Sequence, residues 1–307
     1  MILAIGNPVY DEILLPTRAA AGRVLSGCSV NAALALARLG RPTTVWGSIG
    51  RDRRDQAIAE LLSRGVRALL REGPETGGFR LTYPADGGER TLEVLGQADP
   101  VPDPPADLVA SADAVVVGPI LGEVGPSLVR TLKRHARGPM FLDPQGLLRS
   151  RQGDSVIGRI QDGLQDLLPL FDVVKPNEHE ATLLTGIDAT RHPGEAARRL
   201  HDLGAPLAVV TLAERGSVIF DGRRTLQVPP HPADAIDPTG AGDTYLAGFL
   251  HEYLSSGDPF RAGLFGSAVA SVMVEHVGPD FPLTPDLARE RFDCLLRGSR
   301  PADGAAT

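Results

Sequence analysis

The sequence predicts an α/β protein: a doubly wound, mostly parallel sheet flanked by helices, with a small β lid. Short apolar runs alternate with helix-periodic stretches from residue 2 to residue 276, and such alternation implies parallel strands covered on both faces. The helical stretches 28–39 and 52–64 stop at Gly40 and Gly65, as glycine is expected to do. One segment breaks the rhythm. Residues 78–83 and 90–95 flank Ala-Asp-Gly-Gly-Glu, the pattern of a hairpin with one covered face.

Taken in order, Ile-Leu-Ala-Ile-Gly at 2–6 reads as a buried strand, and with no basic region before it the start does not read as a signal peptide. Residues 11–24 look irregular. After the helix 28–39 come a strand at 43–49 and the helix 52–64. The rhythm resumes with strands at 115–118, 140–143, 172–175 and 207–211. Helices are expected at 124–136, near 155–168, and twice within 177–203. Strands at 218–220 and 225–228 precede helices at 245–254 and 259–276. These elements predict one α/β domain over 1–297, with lid segments 11–24 and 78–97 and a disordered tail at 298–307. A hairpin projecting from such a sheet is a natural lid, because ligands sit at the carboxyl ends of parallel strands.

Composition excludes several function classes. The 307 residues are 42% hydrophobic and 22% charged, with a net charge of −7 and no basic cluster, which argues against a nucleic-acid partner. No run approaches 18 apolar residues, so no membrane span is expected. Cys28 and Cys294 are too few and too far apart for a zinc site or a disulfide framework, as in a cytoplasmic protein with free thiols. Lysine occurs only at Lys133 and Lys175, and neither follows a glycine-rich loop, so a Walker-type phosphate loop is excluded. Residues 6–11 read Gly-Asn-Pro-Val-Tyr-Asp rather than Gly-x-Gly-x-x-Gly, which argues against a dinucleotide-dependent oxidoreductase.

The most informative run is Asp-Pro-Thr-Gly-Ala-Gly-Asp-Thr at 237–244. Glycines at a helix start let an anion approach free backbone N–H groups. Asp243 places a carboxylate inside that nest, where it repels phosphate unless it accepts a proton from a hydroxyl. An anion cradle with a built-in base suits phosphoryl transfer to an alcohol. The plainer alternative is a helix start whose dipole Asp243 complements.

This run, with the glycine-asparagine pattern Ser26-Gly27-Cys28-Ser29-Val30-Asn31 and Asn177-Glu178-His179-Glu180, resembles the ribokinase-like (pfkB-type) family of carbohydrate kinases, from Ile2 to about Pro282. The resemblance implies an ATP-dependent phosphotransferase. Asp243 would be the general base, and the amides of Gly240, Ala241 and Gly242 the anion hole. Asp11, Gly27 and Asn31 would bind the acceptor; Ser26 departs from the family's first glycine. Gly50 and Asp52 also fit the pattern.

Asn177 and Glu180 match the family's motif around magnesium and phosphate, Glu180 meeting Mg²⁺ through water. They also form a helix capping box worth about 1 kcal/mol. Thr211, Ala213 and Gly216 resemble the nucleotide loop, with Ala213 in place of a glycine. If position 213 needs a positive φ, that alanine costs about 1 kcal/mol. Ser267 lies in a small-residue helix that either walls an adenine slot or packs closely on a neighbour. Asp143 to Gly146, with Arg149, would face the same crevice. Asp237 and the Thr239 carbonyl would hold a monovalent cation such as K⁺, unless Asp237 only shapes the turn.

The expected acceptor is an unphosphorylated sugar or polyol. A nucleoside, which wants aromatic stacking from Tyr10, Phe79 or Tyr83, is the alternative. A sugar phosphate would call on Arg80 and Arg90. A non-catalytic ligand-binding member of the family also remains open. Leu81, Tyr83, Leu92 and Val94 are apolar candidates for the lid's inner face or for a homodimer interface.

Overall fold

The computed structural model describes residues 1–16, 22–84 and 91–299. Its elements run β1 (Ile2–Ile5), β2 (Val9–Leu14), β3 (Val24–Ser26), α1 (Cys28–Arg38), β4 (Thr43–Gly50), α2 (Arg54–Ser63), β5 (Val66–Gly73), β6 (Gly78–Thr82) and β7 (Thr91–Gly96). There follow α3 (Ala106–Ala110), β8 (Ala114–Val117), α4 (Pro126–His135), β9 (Met140–Leu142), β10 (Arg149–Gln152), β11 (Ser155–Gly158) and β12 (Val173–Val174). The chain closes with α5 (Glu178–Thr185), α6 (Pro193–Asp202), β13 (Leu207–Thr211), β14 (Ser217–Phe220), β15 (Thr225–Val228), α7 (Ala241–Ser256), α8 (Pro259–Val274) and α9 (Pro285–Gly298).

The main sheet has the order β15-β14-β13-β12-β9-β8-β1-β4-β5. It is parallel from β5 to β13, and β14 and β15 add to its edge antiparallel. Alternate side chains go to opposite layers. Leu3, Ile5, Val115 and Val117 pack on one face, while Ile2, Ala114 and Val116 pack on the other. Burial on both faces is why these strands read as continuous apolar runs. Because the central strands are parallel, the residues after β1, β8, β9, β12 and β13 gather along one edge, where a ligand crevice belongs.

The lid is larger than a hairpin. Its sheet runs β10-β11-β7-β6-β2-β3. Of the segment 11–24, expected to be irregular, 11–14 belong to β2 and 24 opens β3, while 17–21 lie outside the described residues; Tyr10 pairs with Leu25 and Glu12 with Arg80. Residues 155–168 do not form the expected helix. Gly153, at φ 63°, turns the chain so that β11 pairs with β10 and with the edge of β7. That pairing is non-local, and a four-residue strand carries little period of its own. β5, α3 and α9 were not expected. Gly298 closes α9, so the order of that helix reaches one residue into the expected tail; 300–307, like the lid tip 85–90 with Arg90, lie outside the described residues.

Beneath the lid, Val9, Ile13, Phe79, Leu81, Val94 and Ile120 form a small core of their own. Leu81 and Val94 are buried there, with Tyr83 and Leu92 packed against it, so all four apolar candidates belong to the inner side. On β6, Arg80 forms ion pairs with Glu12 and Glu93 at 2.7 and 2.6 Å. Among the described residues no helix is long and apolar enough to cross a membrane.

Candidate active site

Gly240 precedes α7 as its N-cap, at a left-handed φ of 86° and with no side-chain cap. The turn ahead of it is braced by Asp237, fully buried, which accepts from Thr239 N at 2.9 Å and Gly278 N at 3.3 Å. One carboxylate oxygen thus serves the turn and the other ties it to the segment after α8, an arrangement that suits a brace. The Ala241 amide is also occupied, donating to Pro238 O at 3.1 Å. Of the expected anion-hole amides, Gly240 and Gly242 remain the better candidates.

Asp243 is buried yet keeps 8% exposure. Its Oδ2 accepts from Asn31 Nδ2 at 2.9 Å, which joins the start of α1 to the start of α7. Burial pushes its carboxyl above the ordinary aspartate range and the nearby charge of Asp143 adds to the rise; Asn31, Lys175 and the Cys28 thiol oppose it. Burial, then Asp243 and Asp143, also push the Cys28 thiol well up, so it stays protonated and donates to Asp243. Gln145 Nε2 in turn donates to Cys28 Sγ at 3.0 Å.

One cleft opens beside this centre and another between lid and body. One, of about 350 Å³, is lined by Ser26, Asn31, Thr239, Gly240, Thr244 and Met273. The other, of about 280 Å³, lies between lid and body, with Asn7, Phe79, Gln97, Ile120 and Glu123 on its walls. Gly27 borders it: at φ 119°, a Cβ there would stand 2.8 Å from Asn7 O and 3.1 Å from Ile120 Cδ1. Asp11, on β2, is engaged within the lid sheet, accepting from Phe79 N at 2.9 Å. The lid also touches the helix-start loop, since Tyr83 Oη lies 2.6 Å from Thr239 Oγ1. Asp52 accepts from Thr76 Oγ1 at 2.7 Å beside Gly50, bracing the turn into β6.

On the donor side, Asn177 and Glu180 form a complete capping box: Glu180 N donates to Asn177 Oδ1 at 2.9 Å and Asn177 N to Glu180 Oε2 at 3.0 Å. Burial, then Asp143, push the Glu180 carboxyl up, against the pull of Lys175 and Arg149. With these oxygens in the cap, a Mg²⁺ fits here through water and phosphate oxygens rather than in a protein cage; no cluster of three His, Cys, Asp or Glu ligands occurs among the described residues. Thr211, at the end of β13, bridges to Asn177. Ala213 sits at φ 49°, the left-handed region that the sequence reading made conditional. Gly216 is required, as a Cβ there would meet Val228 O at 2.2 Å.

Ser267 is buried in α8, and the small residues around it pack closely. A Cβ on Gly248 of α7 would stand 3.0 Å from Gly266 Cα. Of the two readings of this helix, close packing is the one the contacts display.

Two residues escaped the sequence reading. Glu123, buried beside the second cleft, accepts from Ile120 N and Leu121 N at 2.9 and 2.8 Å. Lys175, 2% exposed, pairs with Asp143 at 2.9 Å. Its signal was available: one of two lysines, ending an apolar strand directly before Pro176-Asn177.

Comparison with known proteins agrees with this architecture. The chain is 29% identical over 271 residues to the cytidine kinase of Thermococcus kodakarensis, covering 85% of this chain and 90% of that protein. It is 29% identical over 297 residues to the nucleoside kinase of Methanothermobacter thermautotrophicus, covering 90% of each. Among solved structures, a pyrophosphate-dependent kinase in the ribokinase family, complexed with a pyrophosphate analog and myo-inositol, superposes with a TM-score of 0.81 at 26% identity, over 94% of this chain and 100% of that one. The pattern of the pfkB family carbohydrate kinases matches residues 15–286, and this chain belongs to that family, as a ribokinase-like phosphotransferase with a hydroxyl acceptor.

Proposed function

We propose that the protein transfers the γ-phosphate of ATP to a hydroxyl of an unphosphorylated sugar or polyol, with Asp243 as general base. The observation that carries this reading is Asp243 itself, held by Asn31 at an uncapped helix start beside the cleft that Asn31, Gly240 and Thr244 line. The acceptor occupies the cleft beneath the lid, bordered by Gly27 and Glu123, and its hydroxyl gives a proton to Asp243 as its oxygen attacks in line. The amides at the start of α7 receive the charge that develops on the transferred group. Mg²⁺, when bound, neutralises phosphate charge, and Glu180 is the residue that meets it through water.

Two features support an acceptor that is neither a sugar phosphate nor a nucleoside. Arg80 is already balanced by Glu12 and Glu93. Two of the three lid aromatics are engaged elsewhere, since Tyr10 donates to Glu60 and Tyr83 meets Thr239, which leaves Phe79 on the cleft wall. A nucleoside acceptor is the second reading, favoured by the likeness to the cytidine and nucleoside kinases. The donor is tested alongside, because Ala213 alters the nucleotide loop and one structural relative uses pyrophosphate.

The experiment is an acceptor panel of sugars, polyols and nucleosides, run with ATP or pyrophosphate, for wild type and Asp243→Asn. Loss of the base should lower kcat roughly 10²–10⁴-fold. Near-normal turnover by Asp243→Asn would refute the base assignment, and ligand binding without turnover across the panel would favour a non-catalytic member.

A further inference from the structure

Lys175 is a buried cation that the reaction as described leaves unused. Its Nζ lies 2.9 Å from Asp143 Oδ2, with side-chain exposures of 2% and 6%. Withdrawing both charges from water costs several kcal/mol per ion, so such a pair is weak evidence of a stabilising role. Its position is more telling. A Cβ built on Gly242 would stand 3.2 Å from Nζ, which puts the ammonium directly against the backbone that opens α7. Three carboxylates, Asp143, Glu180 and Asp243, act on this lysine. Without it, their mutual repulsion would oppose both an ionised Asp243 and an incoming phosphate.

We propose that Lys175 is a positioning residue for phosphoryl transfer: locked by Asp143, its ammonium stands beside Gly242 and supplies fixed positive charge to the helix-start amides and to Asp243. Burial alone would lower its proton affinity, but Asp143 and Glu180 outweigh that and keep it charged. The ion pair thus links the ends of β9 and β12 to the start of α7. The proposal rests on the reading of Asp243 as base.

The groups that face Asp243 are Asn31 and Cys28 from α1, Asp143 after β9 and Lys175 after β12; Arg149 and Glu180 stand around them. The test is kcat against pH for wild type, Lys175→Met, Asp143→Asn and the double variant, with melting temperatures. Lys175→Met should move the acidic limb to higher pH and lower the plateau kcat about 10²-fold, the scale of one lost anion-hole donor. Asp143→Asn should move the limb the opposite way, because it removes a repelling charge. A merely structural pair would not shift the limb in opposite directions.

The double variant leaves neither charge unpaired and should keep the fold. It should still lose plateau kcat, with its limb near the wild-type position, and it decides the matter where the single variants fail to fold. An unmoved limb in Lys175→Met, limbs moving the same way in both singles, or wild-type kcat in the double variant would each overturn the proposal. Full activity in Asp243→Asn would sink the base assignment instead. An inactive Asp243→Asn with an unmoved Lys175→Met limb would sink this inference alone.

Discussion

Asn31 Nδ2 donates to Asp243 Oδ2 at 2.9 Å across 212 residues of chain. The bond holds the carboxylate in one orientation and favours its ionised form. Burial first, and then Asp143, raise Asp243 above the ordinary range. Asn31→Ala should raise it further and move the acidic limb of kcat to higher pH, so that raising the pH restores turnover. An unchanged limb would mean that the amide does not act on the base.

The same shift has a stability consequence with a definite sign. A carboxyl whose folded value stands above its unfolded value stabilises the fold at low pH, and that contribution is lost as pH rises through the folded value. Ionised Asp243 is therefore a cost to the fold at neutral pH. Asp243→Asn, which can still meet Asn31, should melt at or above the wild-type temperature at pH 7 while turnover falls. A clear loss of thermal stability would contradict that sign.

Tyr83 Oη and Thr239 Oγ1, 2.6 Å apart, tie the end of β6 to the loop that leads into α7. A neutral hydrogen bond contributes about 0.5–1.5 kcal/mol net. If it helps hold the lid over the acceptor, Tyr83→Phe and Thr239→Val should each raise the acceptor KM by roughly 2- to 12-fold. The double variant should cost no more than either single change, since the two share one interaction. Fully additive effects on KM would show that the bond does not latch the lid.

Much of the main sheet was legible because strands such as β8 and β12 are short, apolar and followed by a helix. The Ala- and Leu-rich stretch that became α1 sits where periodicity placed it, whereas α7 starts at Ala241, ahead of the expected 245–254. The lid was less legible because its strands are defined by partners. β2 finds β6 across 68 residues, and β11 finds β7 from the far side of β8 and β9. α9 carried local signals, with Thr284 capping Leu287 N and Pro285 in the first turn. In the site, Asp243 and Asn31 announce themselves by motif, whereas Lys175 acquires meaning only when the sheet sets β12 beside β9.

Ala213 is the single non-glycine residue with positive φ among the described residues, at 49°. The left-handed region costs an L-residue about 1–2 kcal/mol, part of which glycine's greater unfolded-state freedom gives back. Because the residue is exposed, Ala213→Gly removes little packing. It should therefore stabilise the protein by about 1 kcal/mol, which for a chain of this size is about 2 °C in Tm. Ala213→Val should lower Tm, since a branched side chain tolerates this region still less. A lower Tm for the glycine variant would mean that the loop relaxes out of the positive-φ conformation.

Glu180 is a helix cap, and the magnesium role proposed for it can be separated from that cap by a single substitution. As the third residue of α5 it accepts from Asn177 N, and glutamine can fill the same place in a capping box. Glu180→Gln should therefore keep the wild-type Tm, while Asn177→Ala, which removes the cap, should cost about 1 kcal/mol. A water-mediated magnesium contact depends on charge that glutamine lacks, and loss of an outer-sphere partner typically weakens metal affinity 10- to 100-fold. The Mg²⁺ concentration for half-maximal activity should then rise by that order in Glu180→Gln, with the melting curve unmoved. If the magnesium dependence of Glu180→Gln matched wild type, the residue would be a helix cap alone, and the metal would rest on the donor phosphates and water without it.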